Sequence, residues 1–174
     1  MTIATSRALL VPYTEHLEHD FILLNCCPIN RLEMNGPHSL ASAKRVFENL
    51  ITDNQSFTRA VIDNQTREYI GHLFVTQSEG KHELGYIINK EYWNEGLATE
   101  ILRPFFTLAC FELELSEVFA TVNIDHVPSI KLLEKLGFVQ QEAKQDQFGP
   151  YYLYQYSAYG SKATTSYGAV AQSA

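Results

Sequence analysis

The stretch from Glu83 to Phe138 constrains the fold of this chain more than any other. The run Glu83-Leu84-Gly85-Tyr86-Ile87-Ile88 is rich in β-formers and reads as a strand. Gly96 marks a short turn, and from Leu97 a largely apolar helix extends to about Leu115. Pro104 lies inside that helix and lacks the donor that would bond back to Glu100, which predicts a kink or a loosened turn. A short buried strand follows at 118–122. Asp125 then offers an N-cap for a helix with Pro128 in its first turn and Ile130, Leu133 and Leu136 on one face, and Gly137 ends it.

Upstream, Ala8 to Tyr13 reads as a first strand, and Thr14 opens a helix toward Cys26. The segment from Pro28 to Pro37 holds Asn30, Asn35 and Gly36 and reads as a loop able to shape a substrate mouth. Ser39 caps a second helix, in which Ala43, Val46, Phe47 and Leu50 recur at helical spacing. Residues 57–63 and 69–76 read as an antiparallel hairpin across the turn-forming Asp63-Asn64-Gln65-Thr66. Downstream, Phe138 to Lys144 and Tyr151 to Tyr159 read as a closing strand pair around Gly149-Pro150. From Gly160 the composition turns small and polar. This divides the chain into one domain over 1–159 and a flexible tail over 160–174.

A length of 174 residues with 45% hydrophobic content suits one core. Thirteen Lys and Arg against 20 Asp and Glu leave a formal charge of −7, which disfavours a sequence-independent grip on nucleic acid or anionic lipid and suits a basic substrate. No stretch has the length of a membrane span, and the first residues lack the basic and apolar regions of a signal peptide, so a soluble cytoplasmic protein is expected. The three cysteines include the neighbours Cys26 and Cys27. They fit neither a disulfide framework nor a metal site, so no metal is expected.

The order of elements, together with Glu83 to Ile88, Tyr92-Trp93-Asn94-Glu95-Gly96-Leu97-Ala98-Thr99-Glu100 and Ser129 to Phe138, resembles the GNAT superfamily of N-acetyltransferases. It is most similar to the branch that acetylates ribosomal-protein N-termini, and the resemblance extends from about Arg7 to Tyr159. It implies an α/β fold: a strongly twisted, mostly antiparallel sheet with helices on both faces, splayed at its central strands. It also implies acetyl-CoA as co-substrate, an amine acceptor (a protein N-terminus or a small amine), and a monomer or homodimer.

Physical reasoning supports the turn as a phosphate site. A strand passing through a glycine turn into a helix presents unpaired N–H groups at the positive end of the helix dipole. Gly96 lets a phosphate approach without a Cβ in the way, and Ala98 keeps the next contact small. The cofactor-binding residues implied are the backbone of Tyr86, Ile87 and Ile88, then Trp93, Asn94, Glu95, Gly96, Leu97, Ala98 and Thr99, with His126 at a place where the family tends to carry Asn. Glu95 must point to solvent to avoid repelling a pyrophosphate.

For chemistry, Glu83 is the candidate base, with His72, His82, His126 or water as alternatives; nothing in the sequence pairs those histidines with a carboxylate. Many members place a tyrosine four residues before the Gly-Phe glycine, where this chain has Leu133. The branch it resembles uses a serine early in that helix, which maps onto Ser129 as proton donor, although Ser129 also suits a simple helix cap. Tyr151, Tyr152, Tyr154, Tyr156 and Tyr159 read as strand packing. Two other classes remain open at this point: an acyl-CoA-binding module without turnover, and a protein-interaction domain.

Overall fold

The computed structural model describes residues 1–160, and the expected tail beyond Gly160 lies outside the described residues. The strands are β1 (Ile3–Ala4), β2 (Ala8–Val11), β3 (Phe57–Asp63), β4 (Tyr69–Ser78), β5 (Lys81–Ile88), β6 (Glu117–Asn123), β7 (Val139–Asp146) and β8 (Gly149–Ser157). The helices are α1 (Glu18–Asn25), α2 (Leu40–Thr52), α3 (Leu97–Glu112) and α4 (Val127–Lys135). One eight-stranded sheet takes the order β1-β2-β3-β4-β5-β6-β8-β7. Every neighbouring pair is antiparallel except β5 and β6.

The parallel pair is where the sheet opens. β4 and β5 stay in register from Gly71 and Ile88 to Ser78 and Lys81, whereas β5 meets β6 at the single pair Glu83 and Phe119. From that point the two strands part toward Ile88 and Asn123. The splay expected at the central strands is therefore present.

Helices cover both faces, as the apolar patterning requires. The main core joins Leu73, Val75, Leu84 and Val118 of the sheet to Ile101, Phe105 and Ala109 of α3 and to Leu132 and Leu133 of α4. On the other face Phe21 of α1 and Phe47 of α2 pack around Tyr13 and His72. Strand alternation divides β5 between these layers. Leu84, Tyr86 and Ile88 face α3 and α4, while Glu83, Gly85 and Ile87 face α1 and α2.

Local signals held at several points. Ser39 caps α2, its Oγ accepting from the Ser42 N–H at 3.2 Å. At the end of α4 the N–H of Phe138 donates to the Leu133 carbonyl and that of Gly137 to the Glu134 carbonyl, the pairing that satisfies a helix's last carbonyls. Others did not hold. The N-cap of α4 is His126 instead of Asp125, and no side chain caps that end. Thr14 makes no capping bond, and a 3-10 turn over Glu15–Leu17 precedes α1. Helix α3 stops at Glu112, short of Leu115; it stays helical across Pro104, with Ile101 and Leu102 before the proline and Phe105 and Phe106 after it held in the core. Strand β1 carried no signal in two residues.

Candidate active site

The turn between β5 and α3 is built as the glycine pattern predicts. Asn94 and Gly96 both take left-handed backbone, with φ of 61° and 74°. Glycine and asparagine adopt that conformation at least cost. The first helical bond of α3 runs from the Glu100 N–H to the Gly96 carbonyl, and no side chain caps the helix. The N–H groups of Leu97, Ala98 and Thr99 thus lie ahead of the helical ladder at the positive end of the dipole, an arrangement that accepts a phosphate or pyrophosphate. A Cβ built on Gly96 would meet only the Arg7 guanidinium, at 3.9 Å, so the approach to the turn is open.

Two residues hold the turn from outside. Trp93 donates its indole N–H to the Ile88 carbonyl at 2.7 Å, folding the turn back onto the end of β5. Arg7, far away in sequence, bonds the Glu100 carboxylate through Nε at 2.7 Å and the Glu95 carbonyl through Nη1 at 2.9 Å. The Glu95 side chain is exposed, as a nearby pyrophosphate requires.

The backbone of β5 supplies donors unevenly. The Asn89 N–H bonds the Ile70 carbonyl, which makes Ile70 and Asn89 a hydrogen-bonded pair. Because such pairs alternate along an antiparallel ladder, Ile87 turns its peptide groups to β4, while Tyr86 and Ile88 turn theirs to the gap beside β6. The Ile88 carbonyl is taken by Trp93. The N–H groups of Tyr86 and Ile88 and the Tyr86 carbonyl are left facing the gap.

The two sequence-predicted catalytic residues sit on opposite faces of the parting strands. Glu83 lies at the point where β5 and β6 last pair, its carboxylate accepting from the Thr121 hydroxyl at 3.2 Å on the α1 and α2 face. Ser129, 8% exposed, lies in the first turn of α4 on the other face, with its Oγ 2.5 Å from the Tyr86 hydroxyl. Burial pushes the Tyr86 hydroxyl up to about 12 and the contact with Ser129 partly offsets this, so it keeps its proton at neutral pH.

The loop after α1 closes over the Glu83 side. Arg31 winds it around its own guanidinium, donating to the carbonyls of Gly36 and Met34 and to Asn25 Oδ1 of α1. Asn30 accepts from the Lys90 N–H at 2.9 Å, and Glu33 accepts from Asn123 Nδ2 of β6 at 2.7 Å. His126 Nδ1 stands 3.9 Å from the same Glu33 oxygen, too far for a hydrogen bond. Burial lowers the affinity of His126 for a proton, and Glu33 opposes that shift. The carboxylate beside His126 is thus Glu33, which sequence spacing could not reveal across 93 positions. Of the other histidines, His72 is buried beneath α1, away from the cleft; its Nδ1 shares a hydrogen bond with the Tyr13 hydroxyl at 2.9 Å.

The family model described as an acetyltransferase (GNAT) domain matches residues 7–139. The chain belongs to the GNAT acetyltransferase family. Among curated GNAT relatives, an uncharacterized N-acetyltransferase named p20 from Bacillus licheniformis is 28% identical over 105 residues, covering 59% of each chain. The uncharacterized N-acetyltransferase YoaA from Bacillus subtilis is 30% identical over 111 residues, covering 62% of this chain and 63% of its own. The match therefore spans about three fifths of these relatives' length. Among solved GNAT folds, an acetyltransferase from Agrobacterium tumefaciens superposes with a TM-score of 0.76 at 20% identity, covering 90% of this chain and 94% of that one. Spermidine N-acetyltransferase from Vibrio cholerae, solved with CoA and spermine, superposes with a TM-score of 0.76 at 16% identity, covering 87% and 96%.

Against the wider GNAT pattern, the position that often carries a tyrosine is filled by Leu133, which is 2% exposed and belongs to the main core. The hydroxyls of this site come instead from Ser129 and from Tyr86 across the gap. Neither Tyr86's side chain nor Glu33, Asn123 and Arg7 was picked out by sequence reasoning. Each acts through a contact between elements at least 40 residues apart, and only the position of Glu33 in the 28–37 loop hinted at a site.

Proposed function

We propose that this chain transfers the acetyl group of acetyl-CoA directly to a primary amine, in the cytoplasm and without a metal. The observation that carries the reading is the cleft itself. An uncapped helix N-terminus at Gly96 lies beside strands that part, with a carboxylate on one face of the gap and a hydroxyl on the other.

The N–H groups of Leu97 to Thr99 hold the pyrophosphate, and the main chain of Tyr86 binds the pantetheine arm and the acetyl carbonyl. A donor preorganised on that carbonyl stabilises the oxyanion as the amine attacks, a contribution on the order of 10²- to 10³-fold in rate. Glu83, or a water it orients, takes the ammonium proton from the α1 and α2 face. Ser129 assists the departing sulfur from the opposite face. Base and sulfur donor then approach the tetrahedral centre from different faces, each directed at its own group.

An acidic surface and the Glu33 and Glu83 carboxylates beside the mouth favour a cationic acceptor, either a protein N-terminus or a small amine. Relatives of the same fold include a spermidine acetyltransferase and a ribosomal L7/L12 α-N-protein acetyltransferase, both acting on amines. The test is release of CoA thiol from acetyl-CoA across a panel of amines and N-terminal peptides. Acetylated product matched one-to-one with thiol supports the reading. Acetyl-CoA binding without thiol release on any acceptor would instead identify a binding module.

A further inference from the structure

We infer that the Tyr86 side chain is a positioning group for catalysis: it donates to Ser129 Oγ and thereby turns the serine's own proton toward the leaving sulfur. This rests on the acetyl-transfer reading and deepens it.

The two hydroxyls lie 2.5 Å apart, one on β5 and the other in the first turn of α4, across the gap between β5 and β6. Each carries one proton, and only one of those protons can lie between them. Among the described residues neither hydroxyl has another hydrogen-bond partner, so the direction of this one bond decides which proton is free. A phenol is the more acidic donor and an aliphatic hydroxyl the better acceptor, so Tyr86 donates. Burial reinforces the choice by keeping the phenol protonated through the neutral range. The Ser129 proton is then left unspent. Donation into its oxygen also polarises the serine O–H and strengthens it as a donor, because hydrogen bonds in a chain reinforce one another.

Magnitudes decide how far the proton moves. An ordinary thiol loses its proton near a pKa of about 8.5, well below the Tyr86 value, so the phenol does not protonate the departing thiolate. As the C–N bond forms, the C–S bond breaks with its electron pair on sulfur, and the ammonium proton passes to Glu83 or water. The thiolate accepts a hydrogen bond from Ser129 and takes its proton from solvent once free. Neither hydroxyl ionises. The pair also replaces the tyrosine that many GNAT members carry where Leu133 is buried in this chain.

The test is a double-mutant cycle of Tyr86→Phe and Ser129→Ala, read as thiol release at saturating acetyl-CoA and amine. Each single variant should lower kcat about tenfold or more, with KM for acetyl-CoA within about twofold of wild type. The double variant should be no slower than Ser129→Ala alone, since Tyr86 acts only through the serine. Wild-type kcat in Tyr86→Phe, or losses that multiply in the double variant, would overturn the inference. Should Tyr86→Phe fold poorly, Ser129→Thr and Ser129→Val take its place. Threonine keeps an acceptor for the phenol and should retain most of the rate, whereas equal rates for the two would overturn the inference. Wild-type protein that releases no thiol on any amine defeats the acetyl-transfer reading itself, a result distinct from an active enzyme indifferent to Tyr86.

Discussion

At the scale of single residues, Glu83 and His72 illustrate opposite uses of a titratable group. Glu83 sits half-exposed at the last pairing of β5 and β6, where it can reach both solvent and an incoming amine. Glu83→Gln should depress kcat by about 10²-fold near neutral pH, where an amine acceptor is still largely protonated, and less at high pH. A pH–rate profile identical to wild type would assign the proton to water alone. His72 is structural. Burial first, and the Arg31 charge second, lower it to about 3 from an ordinary value near 6.5. The unfolded chain therefore binds a proton between those values that the folded chain does not, so stability rises with pH. The contribution is complete above about 6.5 and is lost as pH falls toward 3, by up to about 1.4 kcal/mol per unit. Melting temperature should therefore drop more steeply from pH 7 to pH 4.5 in wild type than in His72→Gln. Parallel curves would show that other groups dominate acid unfolding.

At the scale of elements, β5 is shaped as much by what it lacks as by what it carries. Gly85 lies opposite Phe74, and a Cβ there would come 2.2 Å from the Phe74 ring. The ring in turn stacks on His72 with centroids 5.0 Å apart. Gly85→Ala should destabilise the fold by about 1–3 kcal/mol, because the ring must leave its stack on His72 to admit the Cβ. Chemical denaturation of Gly85→Ala and of Gly85→Ala with Phe74→Leu checks this: the second change should restore part of the loss. A single variant as stable as wild type would mean that the ring relocates without cost. The resemblance implied main-chain contacts along the strand from Gly85 to Ile88. The packing reason for the glycine lies on β4, and no pattern within β5 could show it.

At the scale of the whole molecule, cofactor binding and stability are linked. Acetyl-CoA at about a hundred times its dissociation constant should stabilise the fold by about 2.7 kcal/mol and raise the melting temperature by several degrees. Gly96→Glu should abolish that shift. It places a carboxylate where the pyrophosphate approaches, and its left-handed backbone costs about 1–2 kcal/mol of stability in the unliganded protein. Free adenine should not reproduce the wild-type shift if, as proposed, the anchor is main-chain contact with phosphate and pantetheine. Thermal melts of both proteins with each ligand decide the matter, and a full shift in Gly96→Glu would remove the turn from the binding site.

The elements that carry the cleft were legible from residue order alone because each has a local cause. β-formers in series made β5, a glycine able to turn left-handed made the entry to α3, and Gly137 closed α4. The local logic missed by one residue at the start of α4, where the cap fell on His126 and not on Asp125. Glu83 and Ser129 were suggested by the resemblance, and the fold places both beside the gap. Only the folded sheet sets Glu83 and Ser129 on opposite faces of one gap, brings the Tyr86 hydroxyl to Ser129, and fastens Glu33 to Asn123 and Arg7 to the turn. Those pairings join residues from 43 to 90 positions apart, for which spacing along the chain carries no signal. Their distances are set by strand register and by how far β5 and β6 part, which are properties of the sheet and of no segment within it.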